Sequence, residues 1–81
     1  MTVTIKLFAI LRERANVSKM RIELPASATV AAAREALAER LPALRDHLPR
    51  VAWAVNRAYV PIETELHDGD ELAVIPPVSG G

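Results

Sequence analysis

The sequence contains no cysteine, so neither a disulfide nor a cysteine–zinc site can hold the fold together. The same absence removes any thiol nucleophile. Charge of one sign is also missing: ten basic and ten acidic residues leave a formal net charge of zero. They are mixed along the chain, without the basic stripe expected of a nucleic-acid binder. No apolar run approaches the ~20 residues of a membrane span, and the N-terminus lacks a signal-peptide pattern. A cytoplasmic protein is therefore expected. Glycine is nearly absent, with three in 81 residues and only Gly69 before the last two positions, which excludes a phosphate-cradling loop.

Catalytic constellations are missing too. His47 and His67 are the two histidines, and their spacing matches no helical metal pair; both are read as surface residues near element ends. Asp68-Gly69-Asp70 lacks the remaining ligands of a calcium loop, and a tight turn accounts for it better. Glu63 and Glu65 share a face of an extended segment with no third polar group. Ser18, Ser27 and Ser79 have no adjacent base. The chain alone does not look like an enzyme, and no metal or bound cofactor is expected.

What is present is a globular composition, 51% hydrophobic and 25% charged, in a length suited to one small domain. "TVTIKLF" alternates Val3, Ile5 and Leu7 with polar residues, the period of a half-buried strand. "AILRERANVS" has room for one or two helical turns before Asn16 and Ser18 signal a turn. "KMRIEL" alternates again through Met20, Ile22 and Leu24 until Pro25, and should pair antiparallel with the first strand. In "TVAAAREALAERL", Val30, Ala33, Leu37, Leu41 and Leu44 recur at helical steps and make one apolar stripe. Thr29 is its expected N-cap, though Ala32 stands where Glu or Gln would complete a capping box. Arg34, Glu35, Glu39 and Arg40 fall largely off the stripe, on a solvated face. Pro42 breaks this helix or opens a short second one, "PALRDHL", closed by Pro49.

"VAWAVN" is expected to be a buried strand through Val51, Trp53 and Val55. "NRAYVP" predicts a turn and a short strand near Tyr59 and Val60, with Pro61 favouring an edge position. "HDGDELAVIP" predicts a turn and a last strand, Glu71 to Ile75. One main helix packed across a mixed sheet is an α+β design. The domain should occupy residues 1–75, followed by a tail over 76–81.

That tail, "PPVSGG", holds the remaining two glycines. At an average glycine frequency of about 7%, a chance Gly-Gly end occurs in roughly one chain in 200, uncommon without being diagnostic. Its build is suggestive: Pro76 and Pro77 bias the base toward an extended conformation, and Gly80 and Gly81 lack the Cβ atoms that would obstruct a narrow channel. Six extended residues reach on the order of 20 Å. The alternative is an inert end after the last strand.

The sequence resembles the small subunits of molybdopterin synthase, a family of ubiquitin-like sulfur carriers. The resemblance runs through "KLFAILRERA", "LPASATV", "AVNRAYV" and, most specifically, "LHDGDELAVIPPVSGG". Ubiquitin carries basic residues before its Gly-Gly, and the thiamine-pathway carriers lack this Pro-Pro tail. The resemblance implies a ubiquitin-like β-grasp fold. It also implies that an E1-like enzyme uses ATP to adenylate Gly81, that a sulfur donor enzyme converts it to a thiocarboxylate, and that the tail inserts into the large subunit of a heterotetrameric synthase. There the sulfur passes to a pterin precursor. Carried over by position, Phe8, Tyr59 and Ile75 would be apolar partner contacts and Arg12 a charged one, continued by Pro76, Pro77, Val78 and Ser79. Core packing is the alternative for Phe8 and Ile75, while Trp53 is expected in the core. The competing functions are a protein modifier joined through Gly81 to lysines, a carrier for a thiamine or tRNA thiolation pathway, and a plain interaction module.

Overall fold

The structure, a computed structural model, describes residues 1–77. The positions expected to carry the tail's chemistry, Val78, Ser79, Gly80 and Gly81, lie outside the described residues. Strand β1 spans Thr2–Leu7, helix α1 Ala9–Ala15, β2 Lys19–Glu23 and helix α2 Val30–Arg40. Two 3₁₀ turns, Pro42–Leu44 and Leu48–Arg50, lead to β3 at Ala52–Val55, β4 at Ala58–Tyr59 and β5 at Glu71–Ile75. The sheet order is β2-β1-β5-β3-β4, with β1 and β5 parallel and the other pairs antiparallel. This is the ubiquitin-like β-grasp arrangement. Parallel neighbours cannot be joined by a tight turn, so the whole chain between β1 and β5 serves as their crossover.

Alternation decides which face of the sheet is buried. Val3, Ile5 and Leu7 of β1 are buried, as are Leu72 and Val74 of β5, and Ile5 pairs with Leu72 while Leu7 pairs with Val74. Ile22 and Trp53 extend this apolar face to both sides. Helix α2 covers it with Val30, Ala33 and Leu37, α1 adds Leu11, and the 3₁₀ turns add Leu44 and Leu48. Each large side chain withdrawn from water stabilises the fold by about 1.5–3 kcal/mol before chain entropy is counted.

Several sequence expectations are corrected in detail. The Ala9–Ala15 segment forms the two helical turns expected there, so two helices accompany the sheet. Helix α2 stops at Arg40 because Pro42 follows, and Leu41 and Leu44 continue the apolar stripe from its C-cap and the first 3₁₀ turn. Pro49 does not close that segment but lies inside the second 3₁₀ turn. Val51 precedes β3 and is half-buried; the buried pair in this strand is Trp53 and Ala54, which point to opposite faces. His67 is exposed as expected, whereas His47 is half-buried at the start of the second 3₁₀ turn.

Tertiary contacts add to the Thr29 cap at the start of α2. The Thr29 hydroxyl accepts from the Ala32 amide at 3.3 Å. The Val30 and Ala31 amides donate to the carbonyls of Thr64 and Ile62, each at 2.9 Å. The loop after β4 thus satisfies two helix donors that no local residue reaches.

Asp68 and Asp70 prove to be structural latches. Thr2 donates its amide to Asp68 Oδ1 at 2.7 Å, and His67 donates its amide to Asp70 Oδ2 at 2.8 Å. Gly69, at φ +86°, donates its amide to the Thr2 carbonyl. Asn56, in the β3–β4 hairpin, donates from Nδ2 to Asp70 Oδ1 at 2.9 Å and accepts the Glu71 amide on Oδ1 at 3.0 Å. One asparagine therefore ties the hairpin to the start of β5. Asn56→Ala should lower unfolding free energy by about 1–2 kcal/mol, more than Asn56→Gly, which keeps the left-handed backbone accessible. Urea titration of the two variants checks this; a change below about 0.3 kcal/mol for alanine would show that the bridge contributes nothing.

Candidate functional site

Residues that alternate away from the core form the outer face of the sheet. Register aligns Lys6 of β1, Ala73 of β5, Ala54 of β3 and Tyr59 of β4 in one row. Glu71 and Ile75 lie on the same face, one step to either side of Ala73 along β5. Alanines at the centre of that row leave the middle of the face low, because a methyl group is all that rises from the backbone there.

Along β1 and β5 this produces a groove of about 730 Å³. The end where the chain leaves the sheet is apolar: Phe8, Ala9 and Ile10 after β1 meet Ile75, Pro76 and Pro77 after β5. Toward the start of β5 the lining is charged, with Lys6, Glu71 and Arg57. Lys6 Nζ lies 3.5 Å from a Glu71 carboxylate oxygen, an ion pair about one-third exposed on each side. Such a pair contributes well under ~1 kcal/mol to stability, so its effect is to fix the Lys6 side chain along the groove.

Phe8 and Tyr59 are the two large hydrophobic side chains left exposed among the described residues, at 42% and 72%. Phe8 is thus outside the core. Its backbone is extended at φ −127°, ψ 156°, and it holds the N-cap position of α1 without a side-chain hydrogen bond. An apolar ring where Ser, Thr, Asp or Asn is preferred is locally unfavourable. Ile75 is half-buried on the outer face and is also outside the core cluster. Pro76 is half-buried and Pro77 exposed; on their other side they border a small recess of about 100 Å³ with Ile10, His47, Arg50 and Val51. Pro76 and Pro77 therefore border two concavities.

The structure gathers Phe8, Ile75, Pro76 and Pro77 around one groove and leaves two sequence candidates outside its lining. Tyr59 shares the outer face but sits on the edge strand. Arg12 is exposed on α1 and does not line the groove. Trp53, 4% exposed, belongs to the core as expected. Lys6, Ala73 and Glu71 were not anticipated as lining residues, although their alternation with Ile5, Leu7, Leu72 and Val74 already carried the signal. Arg57 and the Ala9–Ile10 pair had no such signal. Among the described residues no helix is long and apolar enough to cross a membrane.

Residues 5–81 match the ThiS family. The chain belongs to that family. It is similar to the molybdopterin synthase sulfur carrier subunit of Chlamydomonas reinhardtii, 37% identical with both sequences covered completely. The protein of the same description from Mycobacterium tuberculosis is 53% identical over a shorter stretch of 45 residues, 56% of this chain and 54% of that one. Among solved structures, SAMP1 of Haloferax volcanii superposes with a TM-score of 0.92 at 32% identity over the full length of both chains. A complex of subunits 1 and 2 of the molybdopterin-converting factor of Helicobacter pylori contains a chain that matches with a TM-score of 0.74 and 26% identity, again over the full length of both.

Proposed function

We propose that this chain is the sulfur carrier subunit of a molybdopterin synthase and that Gly81 carries the sulfur. The observation that carries this reading is the apolar groove that merges into Pro76 and Pro77, in a ThiS-family chain whose sequence goes on to Gly80-Gly81. The groove is a docking surface for the large subunit, and the tail is the reactive arm. A two-subunit complex in the Helicobacter pylori relative supports that partner.

The chemistry follows from what the chain lacks. A carboxylate is a poor electrophile, so an E1-like enzyme first transfers the adenylyl group of ATP to a Gly81 carboxylate oxygen, releasing pyrophosphate. A sulfur donor enzyme supplies sulfur at the oxidation level of hydrosulfide, whose attack on the activated carbonyl forms the carbon–sulfur bond as AMP leaves. The resulting thiocarboxylate sulfur is a far better nucleophile than a carboxylate oxygen. Docked in the large subunit, it attacks a carbon of the pterin precursor and displaces an oxygen substituent there; water then hydrolyses the thioester so formed, leaving the sulfur on the pterin and restoring the Gly81 carboxylate. The sequence has no cysteine, so activated sulfur has no thiol side chain to occupy and is carried at the terminal glycine. The chain binds no cofactor of its own in this scheme; ATP is consumed by the activating enzyme.

Intact mass after incubation with an E1-like enzyme, ATP and a sulfur source tests the scheme. The expected result is a gain equal to one sulfur-for-oxygen exchange, localised to Gly81. An unchanged mass with an activating enzyme competent on a related carrier would sink it. A second reading is favoured by the likeness to SAMP1, a small archaeal modifier protein. In that reading Gly81 forms isopeptide bonds, and the same incubation with cell extract would yield branched conjugates in place of free thiocarboxylate.

A further inference from the structure

Arg57 occupies a position that its residue type does not explain. It is the second of two loop residues in the β3–β4 hairpin, where Val55 pairs directly with Ala58. Asn56 has φ +49° and Arg57 φ +73°, the signature of a type I′ turn. Asparagine tolerates the left-handed region, but the second loop position is ordinarily glycine, since a Cβ there meets its own backbone. Three residues other than glycine or asparagine have positive φ among the described residues: Ala9, Ser27 and Arg57. Two of the three, Ala9 and Arg57, line the outer-face groove. Strain of this kind clusters where a side chain is needed for something other than folding.

The charge pattern says what Arg57 is suited to. The groove contains one carboxylate, Glu71, already 3.5 Å from Lys6. Arg57 has no carboxylate within 4.0 Å among the described residues. The groove therefore combines an apolar end at Phe8, Ile75 and Pro76 with one unmatched guanidinium at the other. Guanidinium is a planar fork of donors that binds carboxylates in pairs of parallel hydrogen bonds.

From this we infer that Arg57 is a specificity-determining contact for the large subunit, receiving a carboxylate from a segment whose apolar part lies against Phe8 and Ile75. The inference rests on the docking reading above and names the chemistry of the partner segment: apolar at one end and acidic at the other. An apolar segment bearing a basic residue would meet repulsion at the Arg57 end, so the turn discriminates between partners as well as attracting one.

Calorimetric titration of the full chain with the molybdopterin synthase large subunit of the same organism, at low and high potassium chloride, tests this. Arg57→Gly relieves the left-handed backbone, so its melting temperature should equal or exceed the parent's, yet its affinity should fall about ten-fold. Its salt dependence should also become shallower. Arg57→Lys, strained like the parent and still cationic but without the planar fork, should lose affinity while keeping the parent's salt dependence. Phe8→Asp serves as the control for the groove as a whole. Parent-like binding by Arg57→Gly, with Phe8→Asp weakened, would overturn the role of Arg57 and leave the docking reading standing. Parent-like binding by both variants would remove the docking reading and the inference together. A salt dependence in Arg57→Lys that is as shallow as in Arg57→Gly would also overturn it, because lysine keeps the charge.

Discussion

Adding a single alanine after Gly81 should reduce sulfur transfer at least about a hundred-fold while leaving the melting temperature unchanged. The reacting atom in the proposed scheme is the terminal carbonyl carbon, and then the sulfur attached to it. An extra residue moves the carboxylate one residue onward and leaves Gly81 as an unreactive amide. Positioning supplies much of the rate in such transfers, so displacement by a full residue is not a small perturbation. Stability should be indifferent because, among the described residues, the core cluster runs from Val3 to Val74 and does not include Ile75, Pro76 or Pro77. Single-turnover transfer to the pterin precursor and a thermal melt, run on the same preparation, make the comparison. Retained activity would eliminate both the carrier and the modifier readings, since each needs Gly81 as the terminus. A large fall in melting temperature would contradict the separation of domain and tail.

Phe8→Asp should weaken binding to the large subunit by about a hundred-fold, on the scale of an aromatic hot spot. Two effects act together: the ring that walls the apolar end of the groove is lost, and a carboxylate that would have to be desolvated takes its place. The same substitution suits the fold. Phe8 is the N-cap of α1, has extended backbone there and makes no capping hydrogen bond, while Asp is among the preferred N-cap residues. Unfolding free energy should therefore stay within about 1 kcal/mol of the parent, or rise. On the docking reading, the ring that stands 42% exposed beside Ile75 at its own helix start is there for what binds to it. Parent-like affinity would mean the large subunit docks elsewhere. A substantial loss of stability would mean Phe8 packs into the fold more than its exposure indicates.

Much of the fold was legible because strand and helix periodicities leave different marks. Val3, Ile5 and Leu7 alternate cleanly, Val30, Ala33 and Leu37 recur at helical steps, and Thr29 has both the residue type and the place of an N-cap. Pro61 similarly announced the edge position of β4. The β3 region was harder to read, since Trp53 and Ala54 are both buried and a strand covered on both faces loses its alternation. Resemblance gave the four groove residues Phe8, Ile75, Pro76 and Pro77, whereas Arg12 and Tyr59 lie outside the groove lining. Arg57 escaped notice because its significance is a backbone angle and a neighbourhood, and neither is written in residue type.

By itself, then, the sequence determined the elements, the core-facing stripes, the exclusion of thiol chemistry and a Gly-Gly end after two prolines. These are local properties, set by side-chain chemistry and spacing within a few residues. Tertiary structure alone decided the parallel pairing of β1 with β5, which brings Lys6 beside Ala73 and Phe8 beside the strand that leads to the tail. It also decided that carbonyls at Ile62 and Thr64 complete the cap of α2, and that Asn56 clamps the hairpin so that Arg57 faces the groove. Each of these joins residues far apart in the chain. Such contacts become favourable only when core burial offsets the entropy of closing the loops between them, so no local stretch of sequence carries their signature.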